Sequence, residues 1–226
     1  MDTIKGIISD LHVFLYGGMR TLPLTLAGTM IIVGLFTANY AMMFCLVGLI
    51  IVTPILAWVM NMGADALGAM GIKLFAVKSS DVCSLIIPYS TLQNPSKVDD
   101  ISIFCTTSHA MVSFFIGYIL TNAVRLYATP PPDQADPIKV SNRKSHAVMA
   151  IASIVVFALI AIGFRSYTGC EPTLGLILGT LLFGGLGVGW YYALGQPMEG
   201  RLADIFGIAN RIIPSSATSM ACVPTA

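Results

Sequence analysis

A histidine follows three hydroxyl residues at the start of a long apolar run, in residues 105–115, which read CTTSHAMVSFF. A helix that begins there exposes free backbone N–H groups, which suit anions such as phosphate. Thr107 and Ser108 would add hydroxyl groups, and His109 could protonate the leaving oxygen of a phosphate ester. The plainer alternative is that Thr107 or Ser108 only caps the helix, while His109 satisfies a buried carbonyl.

A cation and a carboxylate lie in a second polar stretch, residues 164–179, which read FRSYTGCEPTLGLILG between two apolar segments. The planar guanidinium of Arg165 can bind two phosphate oxygens at once when it lies beside a helix N-terminus. Its ordinary alternative is a side chain that extends to the headgroup level of a membrane. Because both stretches fall on the same predicted side of the membrane, we expect Arg165 to lie near His109.

The composition predicts a membrane protein. Of the 226 residues, 56% are hydrophobic and 10% are charged, whereas soluble domains usually carry about 25% charged residues. The net charge is +1, and the Lys and Arg residues form no basic run, so nucleic acid is not an expected partner. The N-terminus resembles no cleaved signal peptide, and the first apolar segment is expected to direct insertion.

Six apolar segments predict an all-α bundle of six membrane helices. Five of them are plain, and the sixth is weaker because it contains the ionisable residues Asp65 and Lys73. The flanks 1–20 and 196–226 predict amphipathic helices on either side of a membrane domain at 21–195, the second flank ending in a flexible tail. The predicted spans are 22–38, 41–60, 62–77, 106–127, 146–163 and 173–194.

The distribution of cations predicts the orientation. With six spans, both termini and the loop 128–145 share one side, and that side holds most of the Lys and Arg residues. The positive-inside rule therefore places both termini in the cytoplasm, and the loops 78–105 and 164–172 in the lumen or exterior. The cations of the first side are Lys5, Arg20, Arg125, Lys139, Arg143, Lys144, Arg201 and Arg211, against Lys78, Lys97 and Arg165 on the other.

The five cysteines show no Cys-x-x-Cys spacing and no matching histidines, so neither a metal site nor a cofactor is predicted. Cys83 and Cys105 fall on the side where oxidation is permitted, and either bridge the loop between them or stay free thiols. In the last span, glycines at four-residue spacing allow close helix approach. They predict packing within the bundle in preference to a homo-oligomer face or a membrane-protein partner.

In the order and spacing of its motifs, the chain resembles the type 2 phosphatidic acid phosphatase family, a six-helix fold shared with the vanadium haloperoxidases. The family's second motif, Pro-Ser-Gly-His, is matched at His109, where Thr106, Thr107 and Ser108 precede the histidine. Its third motif, Ser-Arg-x5-His-x3-Asp, is matched at Arg165. The first motif, Lys-x6-Arg-Pro, is faint and keeps only Lys73.

Two departures from the family pattern decide what the resemblance implies. In the family, the histidine of the third motif attacks phosphorus and the aspartate four residues later orients it. Those positions are Glu171 and Gly175 in this chain. A carboxylate is repelled by a phosphate dianion, and a glycine has no side chain to orient the nucleophile. The resemblance therefore implies an inactive relative that acts as a structural or lipid-binding membrane component.

The residues that the resemblance leaves for a phospholipid headgroup are Lys73, Thr107, Ser108 and Arg165. One rival hypothesis is an active lipid phosphate phosphatase in which Glu171 is an altered nucleophile. Another is a small transporter or channel subunit with Asp65 and Lys73 as its functional pair, and a structural protein of a virion membrane is a third. Convergence of His109, Arg165 and Glu171 at the membrane face favours the phosphatase type, whereas a cavity lined by Asp65 and Lys73 favours the transporter.

Overall fold

The computed structural model describes residues 2–78, 100–128, 137–169, 171–195 and 205. Helices dominate these residues, and the helices pack side by side around α4. They are α1 (Asp2–Phe36), α2 (Tyr40–Val47), α3 (Thr53–Ala69), α4 (Thr107–Ala128), α5 (Pro137–Thr168) and α6 (Thr173–Gly195). A π-helical turn, Gly48–Val52, joins α2 to α3, and a 3-10 turn, Lys73–Phe75, precedes the strands β1 (Ala76–Lys78) and β2 (Asp100–Ser102).

Among the described residues, four helices are long and apolar enough to cross a membrane, namely Tyr40–Ala69, Thr107–Ala128, Val140–Tyr167 and Thr173–Gly195. The apolar part of α1, Thr21–Phe36, is shorter than 18 residues. The prediction of a mostly helical chain with several helices of membrane-spanning length is confirmed, and the count of six such spans is not. Residues 196–226, predicted as an amphipathic helix with a tail, lie outside the described residues apart from Ile205.

The separate span predicted at 62–77 is wrong. Residues Tyr40–Ala69 form one continuous helix of 30 residues, and the chain then turns into the 3-10 turn and β1. The helix does not end near residue 61, because Asn61 keeps a helical backbone. Its side-chain amide bonds to the backbone of Phe104 and Cys105. Pro54 explains the π-helical turn before it, since proline lacks the N–H that an α-helical turn needs there.

Helix α1 runs without a break from Asp2 to Phe36, so the predicted helix 1–20 is the first part of a longer one. Its second half packs antiparallel to α2 after the turn at 37–39. Gly34 lies against Met43, and Ala27 and Met30 share a buried cluster with Cys45 and Leu49 of the next helix segment. The side chains of residues 2–16, on which amphipathic character depends, lie outside what is described.

Helix α4 is the most buried of the spanning helices and packs closely on α6. A Cβ atom added to Gly117 would collide with the backbone oxygen of Gly184, and one added to Gly187 would collide with that of Phe114. Glycine is therefore required where the two backbones touch. Tight packing of α4 on α6 fixes the first turn of α4 relative to the start of α6, where the polar residues lie.

A two-stranded antiparallel hairpin, with Val77 paired to Ile101, delivers the chain to the start of α4. The segment that follows is held by Asn61 of α3, which is buried within the bundle. Its side-chain oxygen accepts from the N–H groups of Phe104 (2.9 Å) and Cys105 (3.2 Å), and its amide donates to the oxygen of Cys105 (3.0 Å). Ile103 still donates to the backbone oxygen of Phe75 (2.9 Å), and Asn61 replaces the backbone pairing that residues 104 and 105 would otherwise lack.

Candidate functional site

A buried polar cluster lies where α4 begins, α5 ends and α6 begins. Its charged members are His109, Arg165 and Glu171, the three residues that the sequence predicted to converge. The side chain of Glu171 is 0% exposed and that of Arg165 is 11% exposed, while His109 as a whole is 2% exposed. The three residues are brought together because α4 and α5 run in opposite directions along the bundle, and a short connection follows α5.

The carboxylate of Glu171 accepts several bonds at the first turn of α4. Its Oε1 atom accepts from the backbone N–H of Thr106 (2.9 Å) and from the Thr106 hydroxyl. Arg165 Nη1 lies 3.4 Å from the same oxygen. A free N–H at a helix N-terminus, a hydroxyl and a guanidinium are the groups that bind an external anion, and here they bind a carboxylate of the chain itself.

Thr106 is the centre of this arrangement and caps α4, a role that the sequence analysis assigned to Thr107 or Ser108. Its hydroxyl oxygen accepts from the backbone N–H of His109 (3.1 Å), the usual N-cap bond. The same oxygen accepts from Arg165 Nη1 (2.8 Å). A hydroxyl offers one proton and two lone pairs, so the donation to Glu171 and these two acceptances use all of them.

Arg165 also reaches the second hydroxyl of the turn, because its Nη2 donates to Ser108 Oγ. The guanidinium therefore spans two hydroxyls and one carboxylate. Breaking such a pair by removing one partner leaves a buried charge uncompensated, which typically destabilises a protein by about 3–5 kcal/mol. Arg165 and Glu171 are thus a structural connection between the end of α5 and the starts of α4 and α6.

Both ring nitrogens of His109 face protein groups. Nδ1 lies 3.5 Å from Glu171 Oε2, within ion-pair distance but too far for a good hydrogen bond. Glu171 Oε2 accordingly has no hydrogen-bond partner among the described residues. On the other edge, Nε2 lies 3.1 Å from Thr180 Oγ1 and 3.5 Å from Ser113 Oγ. The imidazole is held between a carboxylate and two hydroxyls, away from solvent.

Two glycines of α6 allow it to pass beside the start of α4. A Cβ atom on Gly179 would lie 3.1 Å from Cys105 Cβ and 3.1 Å from His109 Cδ2, and one on Gly175 would collide with the backbone oxygen of Phe104. A side chain at Gly175, where the resemblance would place an aspartate, has no room in this packing.

Two other predicted residues, Lys73 and Asp65, lie apart from the charged cluster, whereas Thr107 lies between Thr106 and Ser108 of the cluster in the sequence. Lys73 is exposed in the 3-10 turn, Asp65 is exposed on α3, and Thr107 is buried in the first turn of α4. Cys105 is a fully buried free thiol, and Cys83, the other member of the possible bridge, lies outside the described residues. Burial raises the pKa of the Cys105 thiol, and the charge of Glu171 adds to that effect, so it stays protonated at neutral pH.

Three polar residues that position the site were missed by the sequence analysis: Asn61, Ser113 and Thr180. Each lies inside an apolar span, where a polar side chain needs a partner because hydrocarbon offers none. That requirement was the available signal. It marks such residues as inward-facing, although it does not say which of them meet.

Comparison of the chain with protein-family models, with curated proteins and with solved structures gives no match. The resemblance to the phosphatases therefore depends on the motif residues alone.

Proposed function

We propose that the chain is a multi-pass membrane protein of the phosphatidic acid phosphatase type that has lost catalysis and serves as a structural or lipid-binding component of its membrane. The observation that supports this proposal is the set of groups that bind the carboxylate of Glu171. Its carboxylate takes the backbone N–H of Thr106, the Thr106 hydroxyl and the Arg165 guanidinium, which are the donors that a bound phosphate would need. The site carries its own anion.

The same geometry disfavours Glu171 as a nucleophile. Attack on phosphorus needs an oxygen with a lone pair directed at the substrate, whereas Oε1 is engaged by Thr106 and Arg165. Oε2 faces His109 from 3.5 Å inside the protein. A phosphate dianion placed against this buried carboxylate would also be repelled. His109, the acid of the matched motif, has its Nε2 edge against Thr180, so neither chemical role is available in this arrangement.

We expect the purified natural chain, reconstituted in a bilayer, to release phosphate from phosphatidic acid and from a soluble phosphomonoester no faster than a His109→Ala variant. Loss of a nucleophile typically lowers rates by several orders of magnitude, which would leave only background hydrolysis. Phosphate release is the measurement. Robust release by the natural chain that disappears in both His109→Ala and Glu171→Gln would instead establish Glu171 as an altered nucleophile, because Oε2 is the oxygen without a hydrogen bond.

The transporter alternative has less support. It requires Asp65 and Lys73 to line a cavity near the middle of the membrane. Both residues are exposed and lie near the end of the helix Tyr40–Ala69, at the same end of the bundle as the cluster. They do not line the cavity described below. An exposed pair at a helix end is better explained as a solvated or headgroup-level pair of charges.

For orientation, we propose that the cluster faces the lumen or exterior. Helix α4 starts and α5 ends at the cluster, so the end of α4 and the start of α5 lie at the other end, with Arg125, Arg143 and Lys144 near them in the sequence. Cations that flank a short connection favour the cytoplasm. Because α1 packs antiparallel to α2, the start of α1 lies at the same end of the bundle as the cluster. The proposed orientation therefore depends on the cations near the end of α4 and the start of α5, and not on those of residues 1–20.

We propose that α1 is a fifth membrane crossing beside the four longer apolar helices. With five crossings, this orientation predicts that the two termini lie on opposite sides of the membrane, in place of the two cytoplasmic termini that six spans predicted. The amide of Asn39 donates to the oxygen of Ile205 (2.7 Å), which places Ile205 at the end of the bundle away from the cluster. In sealed vesicles or intact cells, a tag after Ala226 should react only from the cytoplasmic side and a tag before Met1 only from the opposite side. Labelling of both tags from one side would contradict the arrangement of α1.

A further inference from the structure

A cavity of about 230 Å³ adjoins the cluster, between α4, α5 and α6. At one end it is lined by His109, Ser113 and Thr180, and its remaining lining is apolar. The polar end belongs to the surface of the cluster that faces away from Arg165 and Glu171. The cavity is therefore separate from the groups that bind the Glu171 carboxylate, although the ring of His109 borders both.

The lining residues give the cavity its shape. On α4 they run from His109 to Leu120, and on α6 from Thr180 to Val188. At 1.5 Å per residue, the α4 stretch covers about 16 Å along the helix axis. The cavity is thus a slot that starts at the polar end and runs lengthwise toward the middle of the bundle. We refer to it as the α4–α6 slot.

Small residues keep the slot open. The backbone contact between Gly117 and Gly184 fixes α4 against α6, while α5 supplies Ala158 and Ala161 at this level. A Cβ atom on Gly185 would have nothing within 4 Å. A larger residue there would fill the gap with no rearrangement. Left empty, such a gap forfeits dispersion contacts, and an apolar cavity does not hold water well.

The position of the slot in the membrane indicates what fills it. Its walls are three helices that are long and apolar enough to span a bilayer, so the surrounding medium at this depth is hydrocarbon. His109 is the third residue of α4 and therefore lies at the membrane surface, which is the level of lipid ester groups. The slot then points toward the bilayer centre, as a lipid chain does. At its polar end, the Ser113 hydroxyl is the candidate donor to an ester oxygen, because the Thr180 hydroxyl already donates to the oxygen of Leu176 (2.8 Å) and His109 Nε2 lies against Thr180 Oγ1.

We propose that the α4–α6 slot binds one acyl chain of a membrane phospholipid, with the ester group of that chain beside His109, Ser113 and Thr180. The chain would lie along the apolar walls toward Leu120 and Val188. The inference depends on the membrane placement in the proposed function and not on the loss of catalysis. A volume below the range of about 300–1,000 Å³ typical of small-molecule pockets suits part of a chain better than a compact ligand.

The test uses the full chain in nanodiscs of phosphatidylcholine that include a phosphatidylcholine analogue with a photoreactive group in one acyl chain. Two pairs of variants are compared. Gly185→Leu fills the slot from α6, and Gly189→Leu places the same side chain one turn further along the helix, where a Cβ atom also has nothing within 4 Å. Ala158→Leu fills the slot from α5, with the exposed Ala152→Leu as its control.

We expect crosslinks in the natural chain to concentrate on the slot residues of α4, α5 and α6, and most of them to be lost in Gly185→Leu and Ala158→Leu. Both control variants should keep the natural pattern. Thermal melting identifies a variant that fails to fold. If one of the two slot-filling variants fails, the crosslinking pattern of the other tests the proposal. Uniform labelling of all lipid-facing helices, or an unchanged pattern in a folded slot-filling variant, would overturn the proposal. Phosphate release with normal slot labelling would contradict only the loss of catalysis.

Discussion

Replacement of Arg165 by methionine should lower the free energy of unfolding by about 3–5 kcal/mol, the typical effect of breaking a buried ion pair. Methionine preserves much of the apolar stem but removes the donors to Thr106, Ser108 and Glu171. The carboxylate of Glu171, whose side chain is fully buried, would then lack a counter-charge. Chemical or thermal unfolding of the variant in a fixed detergent or bilayer measures the effect.

A double variant distinguishes the ion pair from general damage to the helix end. Arg165→Met with Glu171→Gln removes both charges, and the glutamine oxygen can still accept from the backbone N–H of Thr106. We expect it to be more stable than Arg165→Met alone. As a matched control, the exposed Arg125 lies 5.9 Å from the ring of Tyr191, and its replacement by methionine should cost no more than about 1 kcal/mol. Additive losses in the double variant would show that the two charges are not coupled.

The meeting of His109, Arg165 and Glu171 could be predicted from the sequence because few facts are needed to infer it. Apolar runs locate the helices, and the polar residues lie at the ends of those runs. Successive helices reverse direction, so the start of α4, the end of α5 and the start of α6 must share one end of the bundle. That reasoning survives an error in the number of helices before α4, as happened here.

The incorrect prediction of a separate span at 62–77 has a physical cause. Residues 41–77 are apolar for longer than one span requires, and hydropathy gives no boundary inside such a run. The helix continues through Asn61 because Phe104 and Cys105, distant in sequence, satisfy its amide. A helix end is decided by where backbone and side-chain polar groups find partners, and those partners come from tertiary contacts.

The sequence did not show that Thr106 caps α4, and the reason is again a tertiary contact. Three consecutive hydroxyl residues can each cap the helix that follows, and local preference does not choose between them. Thr106 is selected because Glu171 and Arg165 approach from another part of the chain and use both functions of its hydroxyl. Likewise, the glycine at 175 looks like a lost aspartate in the motif, whereas the packed structure has no space for a side chain there.

Glu171→Ala should convert the cluster into a binding site for inorganic phosphate or vanadate. Truncation leaves the N–H and hydroxyl of Thr106, the hydroxyl of Ser108 and the guanidinium of Arg165 around the space of the carboxylate, with a net positive charge and no internal anion. The variant should be destabilised because the buried Arg165 loses the counter-charge of Glu171. Bound phosphate should restore stability, by about 2.7 kcal/mol at a concentration one hundred times the dissociation constant.

The measurement is the unfolding midpoint as a function of phosphate or vanadate concentration, at constant ionic strength so that screening of exposed charges stays fixed. The natural chain should not respond, because Glu171 already occupies the donors. Glu171→Gln should respond weakly, since the amide fills the same space, and Glu171→Ala combined with Arg165→Met should lose the response. If Glu171→Ala binds no anion, the cluster is only an ion pair that connects three helix ends, and the proposed resemblance to a phosphate site is contradicted. If the natural chain responds as strongly as the variant, Glu171 gives way to phosphate, and the carboxylate is an exchangeable occupant of a working anion site.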